Sequence, residues 1–530
     1  MRIPRFFPMI PLMILLLVGG WALGLGQVRG GDDPRLRMID EVLGKVRTQY
    51  VEELPDSVLV QRLLNGFFGE LDPYSQFLDR AEFTNLRIGT SGTYHGLGIV
   101  ISLRDGFLTV ISPMEGTPAY RMGIMAGDRI IEIDGQSTEG FSLNDAVERM
   151  RGPKGSKVKL TIARGRDFRR IEYEVTRDKI ELKSVPYSFV GADGVAYIRL
   201  SQFAEETTHD LSKALNDAQK AGARGLILDL RSNPGGLLTQ AVEVSEQFVP
   251  QGKLIVETRG RQRSQNRGFS SRARTVFDRM PLIVLVNEGS ASASEIVAGA
   301  IQDWDLGLIA GQTTFGKGSV QTVIDLSDGS AIKLTTAKYY TPSGRCIHRE
   351  ERRPDPTVTA GVDGTGKEHH TENRDLHHTA MGREVFGGGG ISPDITLEEA
   401  EMSEVVVDIE RRGLYYEFTT DFMKRHPGRN AASPITDAEF GEFLTFAHER
   451  EADEAEHRFD DADLTAARPE IERGIRREIA RRTDSDLSAW KIVLEGDRQY
   501  QEAKKLFDQA KTLRELFQLA DSRREAPVAH

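Results

Sequence analysis

The sequence predicts a multidomain α/β protein: a small, partly open β-barrel, then a larger α/β core, with helical parts at the N-terminal and C-terminal sides. Three observations predict this. The chain has 530 residues, about three and a half times a typical 150-residue domain. Between about Gly89 and Asp178, short β-type runs such as GLGIVIS, FLTVIS and DRIIEIDG are separated by Gly and Pro turns. From about Val185 to Ile395, apolar strands alternate with helical patterns. Strands as continuously apolar as Leu226 to Leu230 and Leu282 to Val286 suit a sheet buried on both faces.

Composition narrows the function. Hydrophobic residues make up 39% and charged residues 28%, which excludes a multi-span membrane protein, a collagen and a wholly disordered chain. With 69 basic against 80 acidic residues the net charge is -11, so no sequence-wide field attracts nucleic acid, and none is expected as a partner. Cys346 is the only cysteine. It can close no intramolecular disulfide and build no cysteine-based zinc site.

The elements follow in order. Residues 1–30 hold an uncharged stretch from Phe6 to Gly26 behind Arg2 and Arg5, which reads as an export signal. No A-x-A site follows it, so an uncleaved single membrane anchor is favoured over a cleaved signal, and the remainder is expected on the extracytoplasmic, periplasmic side. Residues 33–88 read as helical, with Ile39, Leu43, Val46 and Tyr50 at helical spacing and LDPYSQFL as a break. The barrel spans 89–178 and includes one helix near Leu143 to Met150, capped by Ser142, with Leu143, Val147 and Met150 on its apolar face. The α/β core spans 179–397 and carries a polar Gly-, Thr- and His-rich insertion at 349–385. Residues 398–530 form a charged helical extension in which Ala503, Leu506, Ala510, Leu513 and Phe517 make a stripe that needs a cover.

Candidate chemistry sits at strand-to-helix turns. PLIVLVNEGSASASEIVAGA runs from a buried strand through small residues into a helix, where free N–H groups and the dipole favour developing negative charge. Ser290, Ser292 and Ser294 all compete as nucleophile, and the pattern does not choose among them. A hydroxyl needs a base, and several of the histidines lie in the polar insertion, which makes Lys317 of TTFGKGSVQ the better candidate. Its pKa must fall about three units from roughly 10.4, a change of about 4 kcal/mol that desolvation can supply. Gln321, four residues on, falls on the same face in a helix or a strand. In LILDLRSNPGGLLTQA, the amides of Gly235 or Gly236 can approach an oxyanion because no Cβ intervenes. His348, His369, His370, His377 and His378 in and beside the insertion read as solvated rather than metal-binding.

Taken together, LRSNPGG, SASASEI, TFGKGSVQ, DGSAIKLTTAKYYTPSGR and GGGGISPDI, in that order, resemble the carboxyl-terminal processing peptidases, or tail-specific proteases. The resemblance runs from LDPYS to about Ile395, while the 349–385 insertion has no match. It implies a PDZ domain at 89–178, placed by GTYHGLGIVIS and AGDRIIEIDG, and a serine protease core at 179–397. It further implies Ser292 as nucleophile, Lys317 as base and Gln321 as the residue that positions the base. Ala293 and either Gly235 or Gly236 would supply the oxyanion hole. Gly96, Leu97, Gly98 and Ile99 would hold the carboxylate of a protein or peptide with a free C-terminus, whose last residues add as a strand. The implied reaction is endopeptidase cleavage near a C-terminus by a Ser-Lys dyad, with no cofactor and no metal. The rival reading is a non-catalytic, membrane-anchored PDZ scaffold. A penicillin-binding type acyl enzyme lacks its S-x-x-K frame at all three serines. For the helical extension, a docking or homo-oligomer role is expected.

Overall fold

The computed structural model describes residues 34–525, apart from short breaks at 105, 115, 126, 165–167, 274, 276 and 278–279 and the stretches 350–374 and 452–458. The expected export segment lies outside the described residues, as do His369 and His370. Among the described residues no helix is long and apolar enough to cross a membrane. The chain divides into two units, Met1–Phe77 and Leu78–His530. In the first, helices Pro34–Gln49 and Asp56–Gly69 flank a Pro-containing turn, and the first of them buries no residue.

In the second unit, helix Arg80–Ser91 leads into the small β domain. Its main sheet runs Ile99–Arg104, Phe107–Pro113, Arg129–Ile133, Lys157–Arg164 and Arg169–Thr176, with Ile99–Arg104 at an edge. Helix Leu143–Met150 starts at Ser142, whose hydroxyl accepts from the Asp145 N–H at 3.2 Å while Asp145 Oδ2 accepts from the Ser142 N–H at 2.9 Å. Its core face differs from expectation. Ala146 and Met150 are buried, whereas Leu143 is exposed and Val147 half-buried. Neither belongs to the core of this domain.

The α/β core is a sheet ordered Tyr187–Val190, Val195–Arg199, Gly225–Asp229, Leu282–Val286, Leu308–Gly311 and Ile395–Thr396. Its first pair is antiparallel and the rest are parallel. Successive side chains point to opposite faces, so one strand feeds two cores. Leu226, Leu228, Val284 and Val286 pack with helices Thr207–Lys220, Leu238–Glu246 and Ala293–Asp303. Ile227, Ile283 and Leu285 point the other way, to helices Arg498–Gln509 and Leu513–Glu525. A second sheet, of Leu254–Gly260, Arg267–Ser270, Ser319–Asp325 and Ala331–Tyr340, sits beside this sandwich.

The apolar stripe of the extension finds its cover within the chain: Ala503, Leu506, Ala510 and Phe517 are buried in the core on this sheet, with Leu513 packed beside them. The extension also has a core of its own, in which Phe418, Phe422, Phe443, Ile471 and Ile475 are buried. Not all of 349–385 is a detached insertion. Leu376–His378 pairs with Glu384–Phe386, and Arg383 between them reaches Asp305 at 2.7 Å and Asp394 at 2.5 Å. The polar composition concealed a hairpin held by buried ion pairs.

Candidate active site

Strand Leu282–Val286 delivers a turn that ends at Ser292, directly before helix Ala293–Asp303. Ser292 has φ 54° and ψ -111°, a strained conformation for a residue with a Cβ, and one that surrounding contacts must hold. Of the three serines, the flanking pair are committed to the turn. Ser290 Oγ donates to the Leu230 carbonyl at 2.8 Å and Ser294 Oγ donates to the Asn233 carbonyl at 2.9 Å, both buried. Ser292 is half-buried.

Lys317 lies in the loop after strand Leu308–Gly311. Glu295 joins it to Ser292. This fully buried carboxylate accepts the Ser292 N–H at 2.8 Å and the Lys317 N–H at 2.9 Å on Oε2. On Oε1 it accepts Thr314 Oγ1 at 2.6 Å and the Gly316 N–H at 2.7 Å. Burial pushes the Glu295 pKa up, against the pull of these donors. The Tyr339 hydroxyl makes a second tie, reaching the Ser292 carbonyl at 3.0 Å and also the Lys317 carbonyl. Burial lowers the Lys317 pKa below its ordinary value; the nearby Lys333 charge lowers it further and Glu295 opposes. Gln321 stands at a bulge between Val320 and Gln321 in the next strand, so the simple same-face argument does not describe it. Its amide donates to Ser319 Oγ at 2.9 Å and Thr335 Oγ1 at 3.4 Å.

The third piece is the turn after Gly225–Asp229. Asn233 Nδ2 donates to the Leu200 carbonyl at 2.8 Å, and its Oδ1 accepts the Gly235 N–H at 2.9 Å. Gly235, at φ 95°, touches the nucleophile turn so closely that an added Cβ would sit 2.8 Å from Ser292 Cβ and 2.8 Å from Ala293 N. The carbonyl of Asn233 also accepts the Ala291 N–H at 2.9 Å, which fastens the two turns together. Upstream, Arg231 and Asp229 form a buried ion pair at 2.7 Å. Burial pushes Asp229 up, but Arg231 and Arg199 outweigh it and hold the carboxyl below its usual range.

Sequence reasoning did not single out Glu295, Tyr339, Asn233 or Asp229. The signal for Glu295 was its position three residues into a helix that starts at a serine. Tyr339 acts on residues 22 and 47 positions away, and Asn233 and Asp229 join near partners to remote ones such as Leu200 and Arg199.

In the small β domain Gly96, Leu97 and Gly98 are buried: Gly96 ends strand Thr93–Gly96, where it pairs with Asp178, and Leu97 and Gly98 lead into the edge strand at Ile99. Gly98 has φ 75°, and Thr117 occupies the space a Cβ would need. Its carbonyl accepts the Met114 N–H at 2.8 Å. An unpaired edge strand beside a helix that leaves Leu143 exposed offers a place for an added peptide strand.

A peptide-binding β module joined to an α/β core with a serine at a strand-turn-helix corner defines a serine-type peptidase. A model of peptidase family S41 matches residues 194–358, and a PDZ-domain model matches residues 86–163. The carboxy-terminal-processing protease of Bartonella bacilliformis is 43% identical over 328 residues, 61% of this chain and 75% of that protein. The carboxy-terminal processing protease CtpA of Bacillus subtilis is 35% identical over 343 residues, 64% of this chain and 73% of the relative. Among solved structures, the photosystem II D1 C-terminal processing protease is 32% identical, covering 60% of this chain and 84% of its own, at a TM-score of 0.35. The chain belongs to peptidase family S41, among the carboxy-terminal processing serine proteases, and carries a PDZ domain.

Proposed function

We propose that Ser292 and Lys317 form the catalytic dyad that cuts proteins near their C-termini. Ser292 Oγ attacks the peptide carbonyl, and the neutral Lys317 amine takes its proton and passes it to the departing amine. Water then hydrolyses the acyl-serine with Lys317 again as base. Two amides receive the oxyanion. One is that of Ala293. The other is that of Gly236, since the Gly235 N–H is engaged by Asn233. Gln321 positions the base from the adjoining strand, through the hydroxyls it contacts.

The observation that carries this reading is the double tie of Ser292 to Lys317 through Glu295 and Tyr339, beside a lysine whose burial favours the neutral amine. Kinship with carboxy-terminal processing proteases speaks against a non-catalytic scaffold. In the PDZ domain, the amides of Gly96, Leu97 and Gly98 capture the substrate carboxylate, and the strand from Ile99 pairs with its last residues. The uncharged stretch behind Arg2 and Arg5 supports a single N-terminal membrane anchor with the peptidase on the periplasmic side. For the test, Ser292→Ala and Lys317→Ala are each expected to lower kcat/KM on a tail peptide by about a thousandfold or more, with the circular dichroism spectrum unchanged. Wild-type turnover in either folded variant overturns the dyad.

A further inference from the structure

The turn that carries the oxyanion donor is gripped from an unexpected direction. The Arg231 side chain is 10% exposed; its Nε and Nη2 donate to Asp229 Oδ1 at 3.0 Å and Oδ2 at 2.7 Å, and the same guanidinium reaches the C-terminal extension. There Nη1 donates to Asp497 Oδ1 at 2.9 Å and to Gln499 Oε1 at 2.9 Å, and Nη2 donates to Asp497 Oδ2 at 2.6 Å. The fork is bidentate, the geometry in which guanidinium and carboxylate fix each other most firmly. Both acceptors are themselves held. Asp497 Oδ1 caps helix Arg498–Gln509 by accepting the Tyr500 N–H at 2.9 Å, and the buried Gln499 donates to the Leu397 carbonyl at 2.8 Å.

On the catalytic side Arg231 is clamped as well. Its backbone N–H donates to Asp229 Oδ1 at 3.0 Å, and its carbonyl accepts from Arg199 Nη2 at 3.1 Å. The next residue, Ser232, has φ 55°, and its N–H donates to Asn287 Oδ1 at 2.7 Å. Then come Asn233, whose carbonyl accepts the Ala291 N–H, and the two glycines. A left-handed residue between a fixed arginine and a fixed asparagine leaves little slack. Displacing Arg231 therefore displaces the glycine turn that packs against Ser292.

We propose that Asp497 and Gln499 are positioning residues for catalysis: the C-terminal extension, by holding Arg231, sets the oxyanion-hole turn. The inference rests on the reading of that turn as the oxyanion hole of a Ser292 peptidase. It gives the extension a part in the reaction besides covering the sheet. Oxyanion donors act through preorganisation, so a small loosening of the turn lowers kcat and leaves ground-state binding of the peptide intact.

The experiment uses the full chain with Asp497→Asn, which keeps a good N-cap and removes the charge, and the double variant Asp497→Asn with Gln499→Leu. Amide hydrogen exchange over residues 231–237 is measured together with kcat and KM on a tail peptide, with Ser292→Ala as the blank. The expected result is exchange at least tenfold faster in 231–237, unchanged exchange in 500–520, kcat lowered at least tenfold and KM within twofold. Exchange at 231–237 equal to wild type overturns the proposal, whatever the activity. So does faster exchange throughout 500–520, because that reports a detached extension instead of a loosened turn. Should the wild type cut no faster than Ser292→Ala, the peptidase reading itself fails, and the exchange data still decide whether the extension sets the turn.

Discussion

As the proposed base, Lys317 must present a neutral amine, and two neighbours pull its pKa in opposite directions. Burial and the Lys333 ammonium depress it, while the Glu295 carboxylate raises it. The rate should climb with pH as the amine loses its proton. Removing the Lys333 charge relieves a like-charge repulsion, so Lys333→Gln should raise the Lys317 pKa and move the ascending limb of the kcat/KM profile to higher pH. A limb that stays in place or moves to lower pH contradicts this electrostatic account. At this scale the sequence was informative where a motif keeps its partners close. SASAS and FGKG marked the serine turn and the lysine loop. Spacing could not separate Ser290, Ser292 and Ser294, because the difference lies in what each hydroxyl meets. Ser290 and Ser294 meet carbonyls of Leu230 and Asn233, some 60 residues away. The grip of Glu295 on Lys317 was hidden because it depends on how the loop after Leu308–Gly311 folds back.

The elements of the core were legible for a simple reason. A strand such as Leu282–Val286, apolar on both sides, has few alternatives to a doubly covered parallel sheet. What covers its second face was hidden. Arg224 and Asp508, which form an ion pair at 2.8 Å, are 284 residues apart, and no periodicity reports a contact of that kind. The stripe of Leu506, Ala510 and Phe517 was visible; its complement in Ile227, Ile283 and Leu285 was visible only as strand. Gly225 shows the fit of the two surfaces, since an added Cβ there would lie 2.6 Å from the Phe507 ring. Leu506→Ala should therefore cost about 2–5 kcal/mol in denaturant unfolding, as for other large core truncations. A loss below about 1 kcal/mol would mean that the extension is a loose appendage.

On the scale of the second unit, Leu78–His530, the extension touches both working parts. Besides gripping Arg231, it packs against the PDZ domain, where Tyr416 fills the space a Cβ on Gly127 would need. Beside that contact lies a cavity of about 280 Å³ lined by residues including Val110, Ile111, Tyr415 and Arg477. The polar, highly charged sequence of 398–530 concealed this, because its long side chains pair with one another, as Arg477 does with Glu410 at 2.6 Å. In the proposed function, capture of a chain end by one domain and cutting by another act on the same substrate. The direct measurement is mass spectrometry of the products from two peptides of identical sequence, one with a free C-terminal carboxylate and one amidated. The account predicts that the free peptide is cut close to its end and that the amidated one is cut at least tenfold more slowly. Equal cutting of both, or cuts scattered far from the terminus, would contradict it.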